Sequence, residues 1–145
     1  MSTPNPNLPF DPTNEPQKMA YDLIANTNAS FFLTGRAGTG KTTFLRKIRE
    51  TVDKNFIVVA PTGIAAIVAG GETIHSFFGM PTEILTKDSS FNINETKQRI
   101  LRNVDTIIVD EASMVRCDIV DAIDHIMRII MQNNLPFGGK QMVFS

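Results

Sequence analysis

Four short apolar runs punctuate the chain, and between them apolar and polar residues recur at helical spacing. Phe31, Phe32 and Leu33 read as a short buried strand. The run FIVVA, residues 56–60, is apolar without interruption, as expected of a strand covered on both faces in a parallel sheet. Residues 106–110 and 141–144 supply a third and a fourth strand. The first helix has Asn14 as its N-cap, Pro16 in its first turn, and Met19, Leu23 and Ile24 as its apolar stripe. Residues 43–52 follow, with Phe44, Leu45, Ile48 and Val52 at helical spacing. Residues 64–68 begin another helix, which Gly70 and Gly71 end. Lys97, Arg99 and Arg102 alternate with Ile100, Leu101 and Val104 in a short amphipathic helix whose basic face reads as solvated. Residues 118–132 place Ile119, Ile123, Ile126 and Ile130 on one stripe, with Asp121, Asp124, His125 and Arg128 facing away. Met127 and Met131 read as core fillers. The pattern predicts an α/β fold of three layers, with a mainly parallel sheet, right-handed crossovers and ligands beyond the carboxyl ends of the strands.

The ends and linkers are polar. Residues 1–13 carry four prolines among Asn, Ser and Thr and read as an extended or disordered arm. Residues 82–95 read as a surface loop, and 136–139 as a turn. Residues 14–145 then form one domain. Its 42% apolar and 20% charged content is ordinary for a globular chain. A net charge of −1 gives no global pull toward nucleic acid, so any such contact has to be local. There is a local bias: Arg36, Lys41, Arg46, Lys47, Arg49 and Lys54 outnumber Glu50 and Asp53. The single cysteine, Cys117, excludes an intrachain disulfide and a cysteine-based zinc site, and fits a reducing compartment. The longest apolar run is broken by Pro61 and Gly63 and cannot span a membrane. With no leader pattern at the N-terminus, the expected location is the cytoplasm, or the nucleus or mitochondrion in a eukaryote.

Candidate chemistry begins at GRAGTGKT, residues 35–42, which fits GxxxxGK[ST] between a strand and a helix. Gly35, Gly38 and Gly40 let the backbone approach phosphate oxygens closely. Lys41 supplies a charge for the β- and γ-phosphates, and the Thr42 hydroxyl can join the coordination of Mg²⁺. With Ala37, Thr39 and Thr43 they form the candidate ATP site. Asp110 and Glu111 end the third apolar strand, where two carboxylates are costly to desolvate unless a cation sits nearby. Mg²⁺ with a nucleotide supplies one. Asp110 would then hold the metal and Glu111 would orient and deprotonate water. An acidic helix N-terminus is the other reading of the pair.

Two further stretches stay open on chemistry alone. Gln17 is either the partner of Asn14 in a capping box or an amide that pairs with the N6 and N7 of adenine. In ETIHSFFGMP, residues 72–81, polar groups interleave with aromatics. That suits a single-strand nucleic-acid contact through stacking and phosphate hydrogen bonds, or else a core histidine beside two core phenylalanines.

Together GRAGTGKT, APTGIAAIVAGGETIHSFFG and IIVDEASMV resemble, in order and spacing, the successive motifs of PIF-type (petite integration frequency) DNA helicases, relatives of RecD in superfamily one. The resemblance runs from Gln17 to Ser145. It implies a RecA-like motor domain in which Gln17 reads adenine, Asp110 and Glu111 are the metal-binding and water-activating pair, and Thr62, Gly63, His75, Ser76 and Phe77 line the path of single-stranded DNA. Such enzymes hydrolyse ATP, move 5′ to 3′ on single-stranded DNA, and unwind duplexes and G-quadruplexes in replication, repair, recombination and telomere maintenance. The resemblance also implies a monomer. The family pattern continues with a Gly-Asp-x-x-Gln stretch and a second RecA-like domain carrying an arginine finger, neither of which these residues contain. The 145 residues alone are therefore expected to be inactive or slow, or to serve as a nucleotide- and weakly DNA-binding module. A nucleoside kinase would share the phosphate loop, but no arginine-rich lid is visible.

Overall fold

The computed structural model describes residues 13–33, 41–80 and 93–145, with the side chains of Lys41 and Thr42 outside that description. The helices are α1 (Glu15–Asn26), α2 (Lys41–Thr51), α3 (Gly63–Ala69), α4 (Ile74–Phe78), α5 (Glu95–Asn103) and α6 (Cys117–Met131). The strands are β1 (Phe31–Phe32), β2 (Phe56–Ala60), β3 (Glu72–Thr73), β4 (Thr106–Val109) and β5 (Gln141–Phe144). They form one sheet in the order β1-β5-β4-β2-β3, and every neighbouring pair is parallel. The expected arm lies almost wholly outside the described residues, as do the phosphate loop and most of the 82–95 loop.

Period-two alternation divides the strands between two cores. Val58, Ile108 and Val143 face one way, onto Ala20 and Ile24 of α1, Phe44, Leu45 and Ile48 of α2, and Ala69 of α3. Val59, Ile107, Val109, Met142 and Phe144 face the other way, onto α4, α5 and α6. The register aligns these rows, with Ile108 opposite both Val58 and Val143. Burying each such side chain stabilises the fold by about 1.5–3 kcal/mol, which is why uninterrupted apolar runs, not alternating ones, mark these strands. The result is the expected three-layer α/β sandwich.

Local chemistry sets the ends of the elements. Asn14 Oδ1 accepts from the Gln17 backbone N–H at 3.1 Å and starts α1. The buried stripe of α1 is Ala20 and Ile24, whereas Met19 is 66% exposed. The apolar set 19, 23, 24 and the pair 20, 24 both satisfy helical periodicity, and packing selects the second. Thr62 caps α3, and Gly70 closes it in the left-handed region with φ 75°. The next residue must be glycine for a different reason: a Cβ on Gly71 would lie 2.1 Å from the Val58 carbonyl oxygen, where the chain drops back onto β2. The edge strand β3 that follows has no apolar run and exists only through its pairing with β2. α3 itself buries just Ala66 and Ala69 and leaves Ile64, Ile67 and Val68 exposed.

Two polar devices tie the layers together. Gln141 is fully buried, and all four of its hydrogen-bonding positions are used. Its Nε2 donates to Leu23 O and Ala29 O, while its Oε1 accepts from Thr106 Oγ1 at 2.6 Å and Lys54 Nζ at 3.3 Å. Asp124 of α6 does not simply face away from the core. Its Oδ1 accepts from Arg128 Nε at 3.0 Å and from the Phe137 N–H at 2.6 Å, which latches the 3₁₀ turn Pro136–Gly139 onto the helix.

Candidate nucleotide site and nucleic-acid edge

Because every strand is parallel, all carboxyl ends open onto one edge, and the sheet order fixes what stands beside what. The residues after β1 come first, then Ser145 after β5, then Asp110 and Glu111 after β4, then Thr62 and Gly63 after β2, and last His75 and Ser76 after β3. With about 4.8 Å between neighbouring strands, the end of β1 lies roughly 10 Å from Asp110. That span suits a polyphosphate held between a phosphate loop and a carboxylate. Gln17 belongs to the same side. The last turn of α1 is tied at Leu23 O to Gln141, the first residue of β5, so its first turn runs toward the carboxyl edge.

Asp110 is 6% exposed. Its backbone N–H donates to Val59 O at 2.9 Å, and its Oδ1 accepts from the Glu111 N–H at 3.0 Å. Among the described residues no ion pair includes it. Glu111 is exposed and held in the left-handed region, φ 52°, an uncommon conformation for a side-chain-bearing residue. The turn is pinned by Ala112 N–H to Ser145 O and by Met114 N–H to Glu111 O. The pair does not open a long helix, since only the three-residue turn Ala112–Met114 follows. A nearly buried hard oxygen donor beside an exposed carboxylate fits Mg²⁺, which takes few protein ligands and keeps its waters. Asp110 and Thr42, in the first turn of α2, are the residues that would hold it; the ion would neutralise phosphate charge there.

Of the other nucleotide residues expected from sequence, Gly35, Ala37, Gly38, Thr39 and Gly40 lie outside the described residues, and Lys41 and Thr42 are placed by backbone only. Thr43 is exposed in the first turn of α2. Gln17 occupies the third helical position, and its backbone N–H confirms the Asn14 cap.

Three of the six basic residues noted around α2 are committed to the fold. Arg46 Nη2 donates to Val68 O at 3.0 Å and Arg49 Nη2 to Ala69 O at 2.9 Å, so two arginines cap the last carbonyls of α3. Lys54 donates to Thr27 O and Gln141. Arg49 also lines a small cavity of about 10 Å³ with Asp110, Leu45, Val58, Ala69 and Ile108. Burial holds its guanidinium below the ordinary value. Arg46 adds to that, while Glu50 and Asp110 act against it.

At the far edge, Thr62 is exposed, and its Oγ1 accepts from the Ala65 N–H at 3.2 Å. Gly63 is exposed as well, and a Cβ there would meet nothing within 4 Å among the described residues, so their packing does not demand the glycine. Thr73 caps α4 through Ser76 N–H, a role the sequence reading missed. His75 is half-buried, and its Nε2 is enclosed without a partner among the described residues. Ser76 is exposed, and its Oγ donates to Glu72 Oε2 at 3.2 Å.

The Phe77 ring takes the core alternative rather than stacking. It is 6% exposed, edge-on to Phe78 at 5.3 Å and packed in the core, so its ring offers no stacking face. A bulky ring after an amphipathic turn falls inward because α4 buries Ile74, Phe77 and Phe78 at helical spacing. Lys97, part of a basic face expected to be solvated, is tied to the fold. Far from being solvated, its Nζ sits 2.7 Å from Glu72 Oε2, 3.2 Å from Ser76 O and 5.1 Å from the centre of the Phe77 ring.

Residues 13–145 match the family described as PIF1-like helicase. The chain belongs to that family. It is 36% identical over 129 residues to the ATP-dependent DNA helicase PIF1 of Saccharomyces cerevisiae (strain YJM789), covering 83% of this chain and 15% of that protein. It superposes on a Bacteroides Pif1 in complex with ADP-AlF4 with a TM-score of 0.85 and 43% identity, over 93% of this chain and 32% of the other. A Bacteroides Pif1 bound to ssDNA gives a TM-score of 0.82 and 45% identity, over 90% and 31%. The chain thus spans between 15% and 32% of the length of these relatives.

Proposed function

We propose that this chain is the ATP-binding part of a DNA helicase that moves 5′ to 3′ along single-stranded DNA. The observation that carries this is the ordering of the carboxyl edge in a member of the PIF1-like family. The elements assigned to the nucleotide (the end of β1, and Asp110 with Glu111 after β4) stand on one side, and the starts of α3 and α4, with exposed Thr62, Gly63 and Ser76 and half-buried His75, stand on the other. ATP sits in the phosphate loop with Lys41 on its terminal phosphates and Gln17 on the adenine. Mg²⁺ is held by Thr42 and Asp110, and Glu111 takes the proton of the attacking water. Thr62, Gly63, His75 and Ser76 hold the DNA backbone. Duplex and G-quadruplex junctions are the substrates of the motor, in replication, repair and telomere maintenance.

The test is ATP hydrolysis with and without single-stranded DNA, using the chain expressed to its natural stop codon and a Lys41→Ala version as the blank. Strong stimulation that vanishes in the blank is expected. Nucleotide binding without DNA-stimulated turnover would replace the motor with a module that holds nucleotide and DNA only.

A further inference from the structure

Beside the proposed DNA path lies a small, preorganised anion site that the protein fills with its own carboxylate. Glu72 Oε2 accepts from Lys97 Nζ at 2.7 Å and from Ser76 Oγ at 3.2 Å. One oxygen thus takes an ammonium and a hydroxyl, the pair of donors that a nucleic-acid phosphate oxygen takes. Lys97 does not depend on Glu72 to stay there. Its Nζ also donates to Ser76 O at 3.2 Å and stands over the face of the buried Phe77 ring at 5.1 Å. Glu72 is the looser member, with 47% of its side chain exposed against 21% for Lys97. It sits on the edge strand opposite Val59, and Thr73 after it stands opposite Ala60, the last residue of β2 before the Thr62 cap, so the site belongs to the carboxyl end of β2.

We infer that Lys97 and Ser76 form a phosphate-contact site for single-stranded DNA, and that Glu72 occupies it as an internal anion which the strand displaces. This rests on the reading of the carboxyl edge as a DNA path. On binding, Ser76 Oγ–H and the Lys97 ammonium transfer their hydrogen bonds from the carboxylate to a phosphate oxygen, and Glu72 swings into solvent. The exchange is sequence-independent, because no base edge takes part. The buried Phe77 gains a role it could not have as a stacking platform, since its ring holds the stem and charge of Lys97 in place.

The two partners therefore have opposite effects on affinity, which a purely structural ion pair would not produce. Binding of a fluorescent oligothymidylate is measured by anisotropy from about 50 to about 200 mM salt, with the chain expressed to its natural stop codon. Lys97→Met should weaken binding roughly tenfold and make the plot of log affinity against log salt shallower by about 0.7. Lys97→Arg should keep both close to wild type. Glu72→Gln should tighten binding by about fivefold at low salt, because one repelling charge near the phosphate is gone. The inference is overturned if Glu72→Gln binds no better than wild type, or if Lys97→Met keeps the full salt slope. Glu72→Gln and Lys97→Arg preserve the local packing and decide the matter even if Lys97→Met is unstable. Failure of the wild-type chain to bind DNA removes both readings, whereas wild-type binding with an unimproved Glu72→Gln removes only this one.

Discussion

Two carboxylates at the same edge of the sheet are treated in opposite ways. Asp110, after the central strand β4, is nearly buried and makes no ion pair among the described residues. Glu72, on the edge strand β3, is exposed and carries a lysine at 2.7 Å. A fold selected for stability alone would do the reverse, because the buried charge has the greater need of a counter-charge. Under the proposed function, the difference separates a carboxylate that would receive a cation from one that already holds its own. A third carboxylate, Asp124, calibrates the other two, since Arg128 and the Phe137 N–H satisfy it entirely within the protein.

The largest effect should come from the β4 end of this comparison, where exposed Glu111 follows nearly buried Asp110. Glu111→Gln should lower DNA-stimulated ATP hydrolysis about 10²- to 10⁴-fold while nucleotide affinity persists; surviving turnover would remove Glu111 from the general-base role. Asp110→Asn should cut hydrolysis by about 100-fold and abolish the magnesium dependence of nucleotide binding. Its melting transition should stay within about 1 kcal/mol of wild type, since no ion pair is lost. A strongly destabilised Asp110→Asn would mean that the carboxylate is structural and would break the comparison.

Gly63→Ala sharpens the exposed side. The added methyl meets no neighbour within 4 Å among the described residues, and alanine is the better helix former by up to about 1 kcal/mol, so the fold should be unharmed. DNA affinity should nevertheless fall, by roughly tenfold, if a strand passes close to this backbone; an unchanged Kd would move the path elsewhere. The smallest effect belongs to Asp124. Burial alone would raise its pKa, but the Arg128 hydrogen bond, the Phe137 N–H and the charges of Arg128 and His125 hold it below its ordinary 3.8. A depressed acid stabilises the fold fully above its unfolded pKa and loses that contribution as pH falls toward its folded value. Asp124→Asn should therefore cost about 1 kcal/mol near neutrality and flatten the loss of thermal stability below about pH 4, with no change in DNA binding. An equal acid loss in the variant would assign the pH dependence to other groups.

Much of this was legible in sequence where one physical effect dominated. Phe56–Ala60 was bounded correctly because a doubly covered strand tolerates no polar residue, and the helix over Cys117–Met131 was found within a residue at each end because its apolar period is long. β3 was missed because two polar residues form a strand there only through hydrogen bonds to β2. The choice between a stacking and a core Phe77 stayed open in sequence because only packing shows which way the short helix α4 turns its rings. Arg46, Arg49 and Lys97 looked like a solvated or ligand-seeking surplus, since their acceptors are backbone carbonyls 20 or more residues away and a carboxylate on the edge strand. Gln141 gave no signal at all, because nothing local says that an amide at the head of a strand will find four partners.

The sheet order has a consequence for how the molecule comes into being. β1, which leads into the phosphate loop, has β5 as its neighbour in the sheet, with Phe31 opposite Val143 and Phe32 opposite Phe144. A ribosome releases the chain from its N-terminus at about 5–20 residues per second, so the first strand made waits for the last of these five before it can be paired. β2 and β3 adjoin each other and can pair as soon as they emerge, with β4 following onto the other side of β2. The nascent protein thus assembles the edge that carries Thr62, Gly63, His75 and Ser76 first and the β1 edge last, and cannot complete this five-stranded sheet until β5 has left the exit tunnel.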